Sequence, residues 1–436
     1  MPVKIYKPST KSFEKYLEKL RNRIEGIPVS IEKRVKKIGN QVKRLKDQAI
    51  AEFTRTFDQV DLLPEEFKVT EKEIDEAYEK VDSELLRAIR YAIKKIEEFH
   101  RNTLPSSWNK ETNGVFYGQR VVPVERAGLY IPGGKGGETP LVSTVIMTAI
   151  PAKVAGVEKI VLVSPPRKTK DLHPALLVAA RECGVDEVYK IGGPWAIFAL
   201  AFGTEFIPKV DVICGPGNIY VTAAKKIVSG STGIDILAGP SEVVIVADAS
   251  AEPEFVAWDL LAQAEHDPMS LSVLITPEER LAKEVKKKLR ECLEVTPRKD
   301  IASKALQSRG GILLTSSLWE AIELANQIAP EHLELLVENP EIYLERVKHA
   351  GAVFLGSFTP EAMGDYIGGP NHVLPTMGLA RFCSALSAEK FCKKVNFLRY
   401  SLDALKKEAS MVIRMAEAEN LPAHAQAVRV RLKNKA

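Results

Sequence analysis

Hydrophobic positions recur with a helical period through the first hundred residues, and the pattern then changes character. From Ser12 to His100 the chain is charged, with Phe13, Tyr16 and Leu20 on one stripe and Leu85, Ile89, Ala92 and Ile96 on another, which predicts a mainly helical region. The stretch GVFYGQRVVPVERAGLYIPGG alternates β-branched and aromatic residues before a cluster of glycines, placing a boundary near Gly128. Beyond it, strand-like and helical runs alternate through KIVLVSPP, LHPALLVAARECG, VYKIGG, AIFALAFG, VDVICGPG and NIYVTAAKKIVSG. After a second boundary near Ala238 the alternation resumes with SEVVIVAD, a helix from about Pro253 to His266, SVLITP, PEERLAKEVKKKLRECL, GGILLTS, LWEAIELANQIA, HLELLV and AVFLGS. This predicts an α/β protein with two mostly parallel sheets covered by helices. From about Leu386 the pattern reads as helical again and ends in the basic RVRLKNK.

A chain of 436 residues suits two to four domains, and 45% hydrophobic against 27% charged residues excludes a disordered, collagenous or coiled-coil protein. The net charge of +4 conceals an asymmetry, because residues 1–50 carry 14 basic and 5 acidic side chains and the remainder is therefore at −5. The basic charge belongs to an amino-terminal arm suited to subunit packing and solvation, and nucleic acid is not the expected partner. The five cysteines, at 183, 214, 292, 383 and 392, include no CxxC and make no disulfide framework, which fits a reducing, cytoplasmic compartment. The start of the sequence lacks the apolar core of a secretory signal, and PLVSTVIMTAIPAKVAGV is cut by Pro151 and Lys153, so no membrane span is expected.

Candidate chemistry gathers in four short runs. LLAQAEHDP sets Gln263 and His266 three apart near a helix end, where both project from one face as metal ligands or where Asp267 and Pro268 merely cap the helix. APEHLELLV places Glu331 and His332 together at a strand mouth, which reads either as water activation with a proton relay or as an exposed polar turn. SFTPEAMGDYIGGPNHVLPT offers Asp365 and His372 in a glycine-rich segment that otherwise serves as a long connection. ENLPAHAQAV brings Glu419 and His424 around Pro422. The dinucleotide fingerprint GxGxxG with its downstream acid is absent, and GGKGG is not a GxxxxGK[ST] phosphate loop. ICGPGN and KIGGP each follow a strand and could bring backbone amides to a phosphate. On residue chemistry alone a metal-dependent hydrolase with Glu331 as base is the natural reading, with a non-catalytic binding protein as a further alternative.

The ordered set RVVPVERAGLYIPGG, VDVICGPGNIYVTAAKK, IDILAGPSEVVIVAD, DLLAQAEHD, APEHLEL, GDYIGGPNHVLPT, ARFCSALS and ENLPAHAQAV resembles the histidinol dehydrogenase family over most of residues 30–430. The resemblance implies two Rossmann-like parallel-sheet domains with helical N-terminal and C-terminal segments. Residues 1–30 would be the arm, 31–128 with 238–384 the substrate and metal domain, 129–237 an incomplete Rossmann-like cofactor domain, and 385–436 a dimerisation segment. It also implies one Zn2+ per subunit held by Gln263, His266, Asp365 and His424, which also face the substrate beside Ser241, Glu331, His332, His372 and Glu419. The implied activity oxidises L-histidinol through L-histidinaldehyde to L-histidine with two NAD+ and one water. In it His332 would be base for the alcohol proton, and Glu331 would activate water. Tyr130 and Asn218 would contact NAD+. The family's glutamine in GG-x-Q-A-I is Trp195 here, whose indole, with a single donor, either stacks on the dinucleotide or packs inward as core. The resemblance further implies a homodimer in which Glu419 and His424 act across the interface.

Overall fold

The structure, a computed structural model, describes residues 3–23 and 26–433. It divides into two compact units, residues 1–103 with 124–391 and residues 104–123 with 392–436. The strands in chain order are β1 (Ile5–Tyr6), β2 (Trp108–Thr112), β3 (Val115–Pro123), β4 (Arg126–Tyr130), β5 (Lys159–Val163), β6 (Glu187–Tyr189) and β7 (Val212–Cys214). They continue as β8 (Gly233–Ile234), β9 (Glu242–Ala247), β10 (Leu271–Thr276), β11 (Gly311–Leu314), β12 (His332–Leu336), β13 (Ala352–Leu355) and β14 (Cys392–Tyr400).

The larger unit holds two wholly parallel sheets, β6-β5-β4-β7-β8 and β1-β11-β10-β9-β12-β13. Numbered locally, each has the order 3-2-1-4-5, the Rossmann order short of its last strand, and the second gains β1 at its edge. Strand residues alternate between two covered faces, which is why EVVIVA and LSVLIT are buried throughout and mostly apolar. In the five-stranded sheet Ala127, Leu129, Ile160 and Leu162 pack under the helices Val142–Ala155 and Pro174–Cys183, whereas Tyr130, Val161, Val163 and Ile213 face the helices Val29–Leu45 and Gly193–Phe202. In the six-stranded sheet Val243, Ile245 and Leu274 face the helix Pro253–Ala264, and Val244, Val246 and Leu333 face the helix Leu318–Ile328. Among the described residues, the expected helical text before His100 forms five α-helices from Lys11–Arg21 to Ser83–Arg101.

The arm is more than helix. Ile5 and Tyr6 pair with Ile312 and Leu313, and Phe13, Tyr16, Leu17 and Leu20 are buried in the core beneath the six-stranded sheet. Residues 29–67, charged and helical in pattern, supply Val35, Ile38, Val42, Ile50 and Phe67 to the core on one face of the five-stranded sheet.

The smaller unit corrects the expectation that the chain is helical from about Leu386. Cys392–Tyr400 is a nine-residue strand, antiparallel to β3, which also pairs with β2, and helix resumes only at Leu402–Ala418 and Pro422–Lys433. The ladder with Val115–Pro123 supplies main-chain partners that a local helical reading of FCKKVNFLRY does not anticipate. All five cysteines are free, and no helix among the described residues is long and apolar enough to cross a membrane.

Candidate active site

Apart from Glu419 and His424, the residues singled out from the sequence fall in two places in the larger unit. The first is the amino-terminal edge of the six-stranded sheet, where β9 and β12, its local strands 1 and 4, begin side by side with His332 opposite Val243. The helix Pro253–Ala264 leaves the carboxyl end of β9 and runs back along the sheet, so Gln263 and His266 arrive at this edge. The helix Glu361–Tyr366, after β13, brings Asp365 there as well.

The geometry is centred on the buried His332. Its Nδ1 donates to the Glu242 carbonyl at 3.0 Å, and the Gln263 amide nitrogen lies 3.2 Å from the same Nδ1. The carbonyl can only accept, so the bond to Glu242 puts the proton on Nδ1 and leaves Nε2 its lone pair; the Gln263 NH2 can only donate and therefore makes no hydrogen bond to that nitrogen. His332 Nε2 is 4.0 Å from Asp365 Oδ1 and has no hydrogen-bond partner. Its Nδ1 lies 3.7 Å from Glu331 and 3.5 Å from Glu361. Glu331 accepts the Glu242 N–H at 2.8 Å through Oε2, so the strand start at Glu242 binds both members of the Glu331-His332 pair. Ser241 immediately precedes this strand, and His372 is near enough, with His266, to disfavour a charged His332.

Charge in the pocket is dominated by acids. Burial pushes Asp365 up to about 6 and lifts Glu331 and Glu361 well above the usual carboxylate range, with neighbouring acids adding to both. Glu334, two residues beyond His332 on the same strand face, is raised likewise by burial and by Asp259, itself raised by burial to about 6. Burial pushes His332 down to about 3 and His372 down to about 4. Candidate ligand atoms of His266, Glu361 and Asp365 all lie within 4.8 Å of one another. Buried Gln263 Oε1, His332 Nε2, Glu361 Oε2 and His372 Nε2 lack hydrogen-bond partners, so the donor set fits a divalent cation that would favour the ionised acids and take up free lone pairs.

Glu361, Glu334 and Asp259 are part of this cluster that residue reading missed. Their signal was spacing: Asp259 precedes Gln263 by four, Glu361 precedes Asp365 by four, and Glu334 follows His332 by two. Glu419 and His424 belong to the smaller unit, where they are exposed around the junction of its two helices.

The second place is a cavity of about 830 Å³ at the carboxyl ends of β4, β5 and β7. Tyr130, Trp195 and Asn218 line it together with Gly133, Gly134 and Asp58. Asn218 Oδ1 accepts the N–H groups of Tyr220 and Val221, capping the helix Ile219–Val228 and leaving the amide nitrogen as its donor. The tight passage out of β7 requires Gly215, whose φ is +119° and whose Cβ would lie 2.1 Å from the Tyr130 carbonyl oxygen. Tyr130 is buried, and burial pushes its hydroxyl well above the usual phenol range. Trp195 is 4% exposed, with its ring 5.8 Å from Phe53 and 5.5 Å from Phe57, and its Nε1 has no partner. It therefore belongs to the core and to the cavity wall at once.

The family model described as histidinol dehydrogenase matches residues 22–432. The chain is 51% identical over 422 residues to the histidinol dehydrogenase of Carboxydothermus hydrogenoformans, covering 97% of this chain and 98% of that one. It is 52% identical to the Synechococcus histidinol dehydrogenase over 398 residues, 91% of each. The crystal structure of histidinol dehydrogenase from Elizabethkingia anophelis superposes with a TM-score of 0.93 at 40% identity, over 99% of this chain and 98% of the other. With that agreement in sequence and in fold, the chain belongs to the histidinol dehydrogenase family.

Proposed function

We infer that this chain performs its family's reaction, the NAD-linked four-electron oxidation of L-histidinol through L-histidinaldehyde to L-histidine, with a zinc ion at the amino-edge site. The observation that carries the site assignment is the convergence of Gln263, His266, Glu331, His332 and Asp365 on one strand mouth from three separate segments. Family membership supplies the reaction, and the orphaned lone pairs with clustered acids support the metal.

Gln263, His266 and Asp365 would hold zinc, completed by His424, and the ion when bound would anchor the imidazole and amino nitrogens of the substrate. Ser241, His372 and Glu419 would position the same substrate. NAD+ would lie against Tyr130 and Asn218 in the crevice and accept hydride at each oxidation. His332 takes the alcohol proton at Nε2, the nitrogen left free by the bond from Nδ1 to Glu242. The carboxyl groups 3.5–4.0 Å from the ring stabilise the imidazolium that forms. Glu331, made more basic by burial, draws a proton from the water that attacks the aldehyde.

The enzyme would act as a homodimer, with Glu419 and His424 completing the site across the interface. Mixing a His266 variant with a His424 variant should then restore turnover in heterodimers, and no recovery would reject the shared site. The reaction is tested by zinc-loaded turnover with histidinol and NAD+. Two NADH per histidine are expected, and a ratio of one would reject the four-electron course.

A further inference from the structure

Among the described residues of the basic arm, one cationic side chain is not solvated. Arg23 is 5% exposed, and each of its five N–H donors has an acceptor. Nε and Nη2 form a bidentate pair with Glu242 at 2.5 and 2.6 Å, Nη1 donates to the carbonyls of Leu20 and Ile328 at 2.7 and 2.6 Å, and Nη2 reaches the Ala329 carbonyl at 3.2 Å. Glu242 is 1% exposed.

These contacts link the beginnings of the two strands that make the site. Glu242 opens β9, and its own backbone accepts the His332 Nδ1 proton and donates to Glu331. Ile328 and Ala329 end the helix before β12, and Ala329 has φ +52°, a left-handed conformation that an alanine rarely adopts. Pro330 follows directly, and then Glu331 and His332. A guanidinium at a helix carboxyl end satisfies the last carbonyls and complements their negative partial charge. One side chain thus fixes the left-handed exit into β12 and the carbonyl that selects the histidine tautomer.

We propose that Arg23 is a positioning residue for His332 and Glu331, acting through Glu242 and through the carbonyls of Ile328 and Ala329. The proposal rests on the reading of His332 as the base that uses Nε2. A rigid fork is needed because the acceptors come from three segments. Lysine, with one nitrogen, can replace the charge but cannot hold the carboxylate and the helix end together.

Two variants test this. Arg23→Lys keeps the charge, while the double variant Arg23→Met with Glu242→Leu replaces the buried pair by apolar side chains, a change that folds tolerate. The expected result is a fall in kcat for histidinol oxidation of about tenfold or more in the double variant, with partial rescue in Arg23→Lys. KM for NAD+ should stay within about twofold of the parent, because the crevice on the other sheet is untouched. Nitrogen NMR of histidine-labelled protein supplies a readout independent of turnover: the parent should show His332 protonated at Nδ1, and the double variant a mixture of tautomers. Folded variants that keep both kcat and the Nδ1–H signal, losing only thermal stability, would overturn the proposal. If His332→Gln itself retains kcat, the base assignment fails, while the nitrogen spectrum still decides whether Arg23 sets the tautomer.

Discussion

The two parallel sheets share one strand order and present opposite ends to chemistry. At the five-stranded sheet the crevice lies outside the carboxyl ends of β4, β5 and β7, where the helices starting at Gly193 and Ile219 turn their amino ends toward the cavity. At the six-stranded sheet the cluster lies at the amino ends of β9 and β12, where the helices ending at Ala264 and Ile328 bring their carboxyl ends. The partial charges at these helix ends differ in sign. A crevice ringed by helix amino ends and glycine turns suits the pyrophosphate of a dinucleotide, whereas helix carboxyl ends suit cations. The guanidinium of Arg23 already occupies one of them. On the proposed function, the usual crevice of a parallel sheet would take the cofactor, and the neglected edge of its counterpart would take the metal and the acid-base chemistry.

The sharpest break of this division is to empty the amino-edge site. Asp365→Asn should lower turnover by about a thousandfold and reduce zinc retained after dialysis, while leaving NAD+ affinity within about twofold. Metal analysis and cofactor titration on the same preparation check both. Full turnover with retained zinc would remove Asp365 from the ligand set, and a large loss of NAD+ affinity would show that the two ends are not separable.

Glu331→Gln divides the amino-edge site itself. Oxidation of histidinaldehyde should fall by about a hundredfold or more, with oxidation of histidinol to the aldehyde affected much less. Supplying each substrate separately resolves the two steps, and equal losses would sink the assignment of Glu331 to the water.

The sequence pattern exposed the two sheets because buried parallel strands are short apolar runs separated by helices, a local signal. It also placed Glu331 and His332 at a strand mouth, whereas Tyr130 and Asn218 are singled out by the family resemblance. What it could not expose were pairings decided far along the chain. Arg23 reads as one more solvated charge in a basic arm, and its partner Glu242 is 219 residues away. Ile5–Tyr6 is too short to signal a strand, and only β11 makes it one. Glu361 escaped because its relation to Asp365 is visible only once PEAMGD is known to be helical. His424 and Glu419 illustrate the reverse, since their place in the motif is plain and their exposed positions in the smaller unit offer no chemistry by themselves.

At the carboxyl-end crevice the effects should be smaller and of another kind. Trp195→Gln removes a buried ring packed on Phe53 and Phe57, and should cost about 3 kcal/mol of stability while changing the NAD+ Kd by no more than about threefold. Denaturant unfolding and cofactor titration together separate the two roles of the indole. A Kd shifted by tenfold in a protein of unchanged stability would make it a cofactor-stacking residue instead of core.

The smallest effect concerns Asp58, which lines the same crevice with Oδ2 buried and unpartnered. Burial raises its carboxyl from 3.8 to about 7. Below pH 3.8 the folded and unfolded chains both hold the proton, so the group has no effect on stability. Between 3.8 and about 7 only the folded chain holds it, and stability falls as pH rises through that window. Above about 7 the folded protein carries a buried charge, and the loss is complete. Asp58→Asn should therefore stabilise the protein by about 1–3 kcal/mol more at pH 8 than at pH 4, measured by denaturant unfolding at both values. Asp58 is the one acid among the described residues that line the crevice, which makes this slope assignable, whereas at the opposite sheet end Asp259, Glu331, Glu334, Glu361 and Asp365 influence one another and any metal would shift them together. An unchanged difference between the two pH values would mean that Asp58 is hydrated in solution, and that the crevice is as polar at its floor as at its mouth.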